Sequence, residues 1–248
     1  MQSNKNYIYI ALFIFLVIIG LYFKYQKSDT ARPIENPNEE LPNDKTSVTI
    51  NTKEIKEKNF TGKVSVISGE SILAKKAQSY IDQAVKTFKE QADKDVPDIR
   101  REFGTDSPSA QYEIIVQAEY TQSENTESLV ILTYEYTGGA HGNSSYYVIT
   151  ASKINGEVLV LSIAIKTDKQ KSFTDFVKRG LLAWRPYEST DTVVFTEEVD
   201  ALNFDSFKNW SLDNENLILY FSQYEIGPGV LGPVAYPVPV KDIKDFLK

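Results

Sequence analysis

The only histidine of the chain, His141, follows a run of alternating aromatic residues, Tyr134-Glu135-Tyr136, and lies among glycines. Its imidazole could serve as a general base or a metal ligand, because Gly138, Gly139 and Gly142 would let the backbone approach a ligand closely. A single imidazole excludes mechanisms that need two histidines, including the zinc sites built on a histidine pair. We therefore expect neither a resident metal nor a cofactor.

Nucleophilic catalysis would need a hydroxyl close to His141. Thr137, Ser144 and Ser145 are near in sequence, but the G-x-S-x-G elbow that exposes a serine nucleophile occurs nowhere in the chain. The alternative interpretation is that the glycines permit a tight exit from a strand while His141 packs or hydrogen-bonds locally. We favour this interpretation and predict no catalytic residue.

Carboxylates form a second candidate group, since Glu197, Glu198 and Asp200 lie close together in a segment that resembles a strand. Paired acids can cleave glycosides when their separation suits the reaction. Successive residues of a strand point to opposite faces, however, so Glu197 and Glu198 would diverge. The spacing of a calcium-binding loop is also missing, and we predict a solvated acidic edge.

Aromatic residues are abundant, with 15 Tyr and 13 Phe, and several flank glycine-rich loops. Exposed aromatic rings suit carbohydrate and protein surfaces, although most rings in strands simply pack in a core. A second loop, Tyr224 to Pro233, is rich in glycine and proline. The candidate ligand-binding residues on the two loops are Tyr136, Gly138, Gly139, His141, Asn143, Tyr224 and Gly227.

Composition narrows the class of protein. With 248 residues, of which 42% are hydrophobic, the chain can bury a substantial core. A net charge of -7 argues against a nucleic-acid partner, which would need a basic stripe. The absence of cysteine excludes thiol catalysis, thiolate metal sites and disulfides.

The N-terminal segment Tyr7 to Phe23 contains no charged residue and has tyrosines and lysines at its ends. As a helix it would span roughly 25 Å, close to the thickness of a bilayer core. We predict a single transmembrane anchor at residues 7–23, with residues 1–6 in the cytoplasm and the folded part outside it. A cleaved signal peptide is the alternative, but no small-x-small cleavage site follows Gly20.

Residues 24–58 are polar and contain Pro33, Pro37 and Pro42, so we predict a disordered tether there. The folded region is expected to start near Phe60.

Periodicity predicts the elements that position the two loops. A strand at 63–67 precedes a helix that has Ser71 as its N-cap and ends near Pro97. Alternating residues predict strands at 112–120 and 129–136, and Asn155-Gly156 predicts a hairpin between strands at 145–151 and 158–165. In the second half we predict a helix at 174–184, strands at 192–199, 217–224 and 234–240, and a short helix from Lys241.

These elements predict an α+β fold with antiparallel sheets, one long and one shorter packing helix, and a preceding transmembrane helix. We expect two small, closely packed modules at residues 59–168 and 169–248. Pro237 and Pro239 lie two residues apart and would leave one edge of their strand without N–H donors, so that strand is predicted to be an outer one.

The two loop motifs carry a family resemblance. Tyr136-Thr137-Gly138-Gly139-Ala140-His141-Gly142, followed by Tyr224-Glu225-Ile226-Gly227-Pro228-Gly229, resembles a paired bacterial module of unknown function. The module is found in the ectodomains of RsiV-type anti-sigma factors, which sense and bind lysozyme, and at the N-terminus of PdaC-type peptidoglycan deacetylases. The resemblance covers about 60–248 and implies a setting in the cell envelope, without an established catalytic residue.

Direct sigma-factor sequestration and deacetylation are not expected, because residues 1–6 are too short for a sigma-binding domain and no deacetylase domain follows. The leading hypothesis is a membrane-anchored, envelope-facing, non-catalytic module that binds a basic protein such as lysozyme, or a cell-wall glycan. The alternatives are a cell-wall hydrolase that uses His141 with a carboxylate, and a structural envelope protein.

Overall fold

The computed structural model describes residues 48–186 and 192–248, all within one compact unit. The predicted anchor at 7–23 and most of the predicted tether lie outside the described residues. Among the described residues, none of the helices has the length and apolar character needed to cross a bilayer. The predicted tether is wrong at its C-terminal end, because Thr49–Lys56 form a strand, β1, that pairs with the next strand.

Six strands form the first sheet, in the order β1-β2-β3-β4-β5-β6. Neighbours are antiparallel except β2 and β3, which are parallel because a long helix, α1, connects them. The prediction of antiparallel sheets is therefore wrong for this one pair. The strands after β1 are Phe60–Ser68 (β2), Tyr112–Gln122 (β3), Thr126–Thr137 (β4), Asn143–Ser152 (β5) and Val158–Leu159 (β6).

Helix α1, Ile72–Phe103, begins where the sequence predicts, with the Ser71 hydroxyl accepting the Ala74 N–H at 3.1 Å. The predicted end near Pro97 is wrong, because the helix continues through this proline to Phe103, with Gly104 as its C-cap. Val96, next to this proline, is fully buried, so packing against the sheet outweighs the cost of one lost helical hydrogen bond.

The apolar stripe of α1 covers one face of the first sheet, as its spacing predicts. Tyr80 stacks on Tyr147 of β5 with ring centroids 4.0 Å apart, and Phe88 packs edge-on against Phe60 of β2. The other fully buried side chains of this core include Leu73, Ala77, Ile81, Ala92, Ile114, Leu129 and Ile131.

The predicted Asn155-Gly156 hairpin is present between β5 and β6, with Gly156 at φ 71°. Its second strand is shorter than the predicted 158–165, because Leu161–Ala164 form a one-turn helix, α2. The first buried residue of that turn, Leu161, belongs to a second core.

Three strands form the second sheet, in the order β7-β8-β9: Trp210–Leu212, Asn216–Phe221 and Val234–Pro239. The strand with Pro237 and Pro239 is an outer strand, as predicted. Helix α3, Gln170–Ala183, contributes Phe173, Val177 and Leu181 to the second core, and Val240–Ile243 form a final short helix, α5.

The strand predicted at 192–199 is wrong, since Thr196–Ala201 form a helix, α4. Glu197 and Glu198 lie in its first turn, where negative charge stabilises a helix, and both are exposed. Val199 is fully buried and attaches this short helix to the second core. The fold class is α+β, as predicted, whereas the module boundary at 168/169 stays a prediction.

Candidate functional site

Two loops carry the predicted site residues. The first, 138–142, connects β4 to β5, and the second, 222–233, connects β8 to β9. They meet at His141 and Tyr224, which are 83 positions apart in sequence, through a 3.0 Å hydrogen bond between Nε2 of His141 and the Tyr224 hydroxyl. The structure thus brings the two predicted motifs together at one surface, which we call the two-loop surface: His141, Tyr224 and the exposed residues of both loops.

The hydrogen bonds of His141 define its tautomer. Nδ1 lies 2.9 Å from the carbonyl oxygen of Gly142, which can only accept, so Nδ1 carries the proton. In the neutral ring, Nε2 then accepts from the Tyr224 hydroxyl. Both ring nitrogens are occupied by groups that hold the exposed imidazole in place, and neither group is a carboxylate.

Two glycines of the first loop are required by close packing. Gly138 has φ 81°, and a Cβ there would lie 2.1 Å from the Ser109 carbonyl oxygen. A Cβ on Gly142 would lie 2.4 Å from the ring of Tyr134. Desolvation raises the pKa of that tyrosine, and the Glu113 carboxylate beside it acts in the same direction. The close packing of Gly138 against Ser109 and of Gly142 against Tyr134 therefore fixes the path of the first loop.

Three further predicted residues lie in or next to the first loop: Gly139 within it, Tyr136 at the end of β4 and Asn143 at the start of β5. Gly139 and Asn143 are exposed, and Tyr136 is half-buried opposite Glu113 of β3. A Cβ on Gly139 would meet nothing closer than 3.8 Å, so this glycine is not required by packing. The exposed part of the first loop is consequently almost free of side-chain bulk around His141.

Tyr224 is the one non-glycine residue with positive φ, 70°, in the part of the chain that the structure describes. A side chain in this conformation costs free energy, and such residues cluster at functional sites. Its ring lies over Gly229, where a Cβ would come within 2.3 Å of the hydroxyl, and the side chain is 48% exposed. Gly227 is buried, and a Cβ there would lie 2.7 Å from the Leu231 side chain.

Three polar residues that the sequence analysis missed bond the open edge of β5, and two of them, Ser222 and Gln223, belong to the second loop. β6 pairs only with the far end of β5, so the outer edge of Ser144 to Val148 has no neighbouring strand. The Asn209 side chain accepts from the Val148 N–H at 3.0 Å and donates to the Tyr146 carbonyl at 3.1 Å. The Ser222 hydroxyl accepts from the Tyr146 N–H at 3.1 Å.

Gln223 completes this edge. Its side-chain oxygen accepts from the Ser144 N–H at 2.9 Å, while its backbone N–H donates to the Ser144 carbonyl at 2.9 Å. Three residues thus replace a strand on an otherwise open edge. No sequence signal marks them, because amide and hydroxyl side chains beside a strand are equally typical of a solvated surface.

The acidic candidates do not join the site. Glu197 and Glu198 lie on α4, not on a strand near His141. Across residues 48–186 and 192–248, no group of three or more His, Cys, Asp or Glu side chains is arranged to hold a metal ion.

A shallow groove of roughly 320 Å³ lies beside the second loop. Val193, Phe195, Pro228 and Leu231 line it, and Val230 at its rim is 95% exposed. The Phe195 N–H donates to the Ile226 carbonyl at 2.9 Å, which fixes this wall to the loop. The two-loop surface therefore has an apolar neighbour.

Comparison with known proteins agrees with this architecture. Two solved proteins of the DUF3298 family have the same fold, each superposing on 82% of this chain. One, from Bacteroides fragilis, has a TM-score of 0.59, 18% identity and 95% of its own chain covered. The other, from Pseudomonas aeruginosa PAO1, has a TM-score of 0.57, 14% identity and 94% of its own chain covered. The described region thus has a DUF3298-like α+β fold.

Sequence comparison defines the module further. Residues 52–144 match the family model described as Deacetylase PdaC, and residues 163–241 match the protein family of unknown function DUF3298. The chain is 24% identical over 179 residues to the peptidoglycan-N-acetylmuramic acid deacetylase PdaC of Bacillus subtilis strain 168, covering 68% of this chain and 36% of that protein. The resemblance to the paired PdaC-type and DUF3298 module is confirmed, and His141 and Tyr224 lie in its two different parts.

Proposed function

We propose that the described region is a non-catalytic binding module of the cell envelope and that its ligand site is the two-loop surface. A cell-wall-related role is supported by the similarity of residues 52–144 to the Deacetylase PdaC family and by the curated PdaC relative. The chain spans about a third of that relative's length, 36%, so the similarity supports the envelope setting and not the deacetylation itself.

The observation that carries the proposal is the hydrogen bond between Tyr224 and His141. It joins the two motifs and holds a half-exposed ring in a backbone conformation that costs free energy. A fold that needed only a closed loop could use glycine at this position at lower cost. Contact with a ligand would account for a half-exposed tyrosine ring at a position where glycine costs less.

A cell-wall glycan is the ligand that this surface fits best. Tyrosine rings that are apolar on the face and polar at the hydroxyl stack on sugar rings while bonding to their hydroxyl groups. Asn143 and the backbone groups of the exposed Gly139 and Ala140 offer further polar contacts around the ring.

A basic protein such as a lysozyme is the second candidate. Its support is the net charge of -7, which would attract a cationic partner and would do so less strongly at high salt. A glycan complex held by stacking and neutral hydrogen bonds would depend little on salt, so ionic strength separates the two candidates.

The hydrolase alternative finds less support in the geometry. A general base would need a free imidazole nitrogen near the reacting proton, and a carboxylate to orient the ring. Both nitrogens of His141 are instead engaged with Gly142 and Tyr224.

Co-sedimentation of the full chain with purified peptidoglycan tests the proposal, with lysozyme binding measured in parallel at low and high salt. We expect Tyr224→Ala to reduce glycan binding at least about tenfold, the worth of one good aromatic contact. Ile154→Ala is the control, because Ile154 is 83% exposed in the β5–β6 hairpin, at the opposite end of β5 from the first loop. Equal binding by wild type and Tyr224→Ala would overturn the site assignment, and hydrolysis that His141→Gln abolishes would favour the enzyme.

The membrane anchor at 7–23, with an extracytoplasmic folded part, is also proposed. Protease added to intact cells should degrade the folded part, and protection of it until the membrane is permeabilised would contradict the topology.

A further inference from the structure

We propose that Gln223 is a positioning residue that sets the distance between the two loops, so that the proposed ligand site exists only while this residue holds both. The inference rests on the function proposed for the two-loop surface. Gln223 itself does not need to touch the ligand.

Among the three edge residues, only Gln223 has a side chain that bonds both the start of β5 and another part of the second loop. Its side-chain oxygen accepts from Ser144, two residues after Gly142, and its side-chain nitrogen donates to the Gly229 carbonyl at 2.9 Å. With the backbone bond from Gln223 to the Ser144 carbonyl, also 2.9 Å, three bonds fix one residue between the start of β5 and the turn of the second loop.

Gly229 is the residue over which the Tyr224 ring lies. It is also the first residue of the short 3-10 turn Gly229–Leu231, and its carbonyl oxygen accepts a hydrogen bond from the Gly232 N–H at 3.1 Å. The Gln223 side chain therefore holds Gly229, on which the Tyr224 ring packs, and Gln223 is also the residue directly before Tyr224. Loss of the bond to Gly229 would free the ring's support without removing the ring.

Asn209 provides a matched comparison, because it bonds the same edge of β5 with the same functional group. Its oxygen accepts from Val148 and its nitrogen donates to Tyr146, but no bond extends to the second loop. Gln223→Glu and Asn209→Asp each keep the acceptor oxygen and replace the donor by a carboxylate oxygen facing a carbonyl. The two variants differ in which carbonyl loses its side-chain donor: Gly229 in the first, Tyr146 in the second.

The experiment measures the full chain as wild type, Gln223→Glu and Asn209→Asp, by Tm, by peptidoglycan binding and by amide hydrogen exchange at Gly232. We expect both variants to lose a similar amount of stability, but only Gln223→Glu to weaken peptidoglycan binding, by about tenfold, and to accelerate exchange at Gly232. A purely structural role would move Tm alone, in both variants equally.

Equal loss of binding in the two variants, or unchanged exchange at Gly232 in Gln223→Glu, would overturn the positioning role. Failure of wild type to bind peptidoglycan would instead refute the proposed function and leave the exchange comparison to decide on Gln223. If Gln223→Glu does not fold, Gln223→Met, which keeps the length of the side chain without its polar atoms, takes its place in both measurements.

Discussion

The Tyr224 hydroxyl lies 3.0 Å from Nε2 of His141 and so joins two residues that are 83 positions apart. In the neutral imidazole, whose Nδ1 donates to the Gly142 carbonyl, the tyrosine is the donor in this bond. The contact links the part of the chain similar to the PdaC family with the part similar to DUF3298.

A double-mutant cycle measures the strength of this link. Tyr224→Phe removes only the donor and His141→Ala removes the acceptor, and we expect a coupling free energy of about 0.5–1 kcal/mol in urea unfolding, since the bond is exposed. Additive effects of the two substitutions would show that the hydrogen bond contributes nothing to stability.

Gly142→Ala is expected to destabilise the fold, because the new Cβ would lie 2.4 Å from the Tyr134 ring. Overpacking of this kind costs about 1–3 kcal/mol, so Tm should fall by at least about 2 °C. Gly139→Ala is the control in the same loop, where the nearest atom would be 3.8 Å away, and it should change stability by less than about 0.5 kcal/mol. Equal Tm values for the two variants would contradict this packing.

The hydroxyl of Ser71 should stabilise α1 by about 1 kcal/mol, because it accepts the Ala74 N–H at the N-terminus of the helix. Ser71→Ala should therefore lower the free energy of unfolding by this amount. Ser79→Ala, at an exposed position within the same helix, should be neutral or slightly stabilising, since alanine is the better helix former. If Ser71→Ala unfolds with the same free energy as the wild type, water replaces the hydroxyl as the partner of the Ala74 N–H.

Glu113 should make stability depend on pH. Desolvation raises the pKa of its carboxyl, so the folded chain binds this proton more tightly than the unfolded chain does. The contribution of Glu113 to the free energy of unfolding therefore falls as pH rises from the unfolded pKa through the raised folded pKa.

Glu113→Gln should consequently raise Tm by about 1–3 °C at pH 7 and give no gain near pH 3, where the carboxyl is protonated in both states. Glu102→Gln, at an exposed position on α1, serves as the control in thermal unfolding at both pH values. A gain for Glu113→Gln that is as large at pH 3 as at pH 7 would exclude ionisation as its cause.

Most of the elements could be predicted from the sequence, because their signals are local. The spacing of Leu73, Ala77 and Ile81 defines the buried face of α1, and Asn155-Gly156 defines a turn. Errors arose where packing outweighed local preference. Burial of Val96 against the sheet lets the helix continue past Pro97. Thr49–Lys56 have the composition of a tether, but they form a strand because β2 offers them an edge to pair with.

The candidate site could be predicted only in part. Glycines and aromatics mark His141 and Tyr224 because their motifs are unusual, but the bond between them depends on how the two sheets are joined. Asn209, Ser222 and Gln223 could not be found, since a polar side chain has the same appearance in sequence whether it faces water or the edge of β5.

Four features follow from the sequence alone: the α+β class, the N-cap and spacing of the apolar stripe of α1, the outer position of the proline-containing strand and the two motifs of the module. These properties depend on periodicity and on single-residue backbone preferences, which act over a few residues. The hydrogen bond between His141 and Tyr224, and the bonds from Gln223 to Ser144 and Gly229, are visible only in the folded chain. Such contacts depend on the relative placement of distant segments, which is fixed by the packing of two cores and not by any local preference.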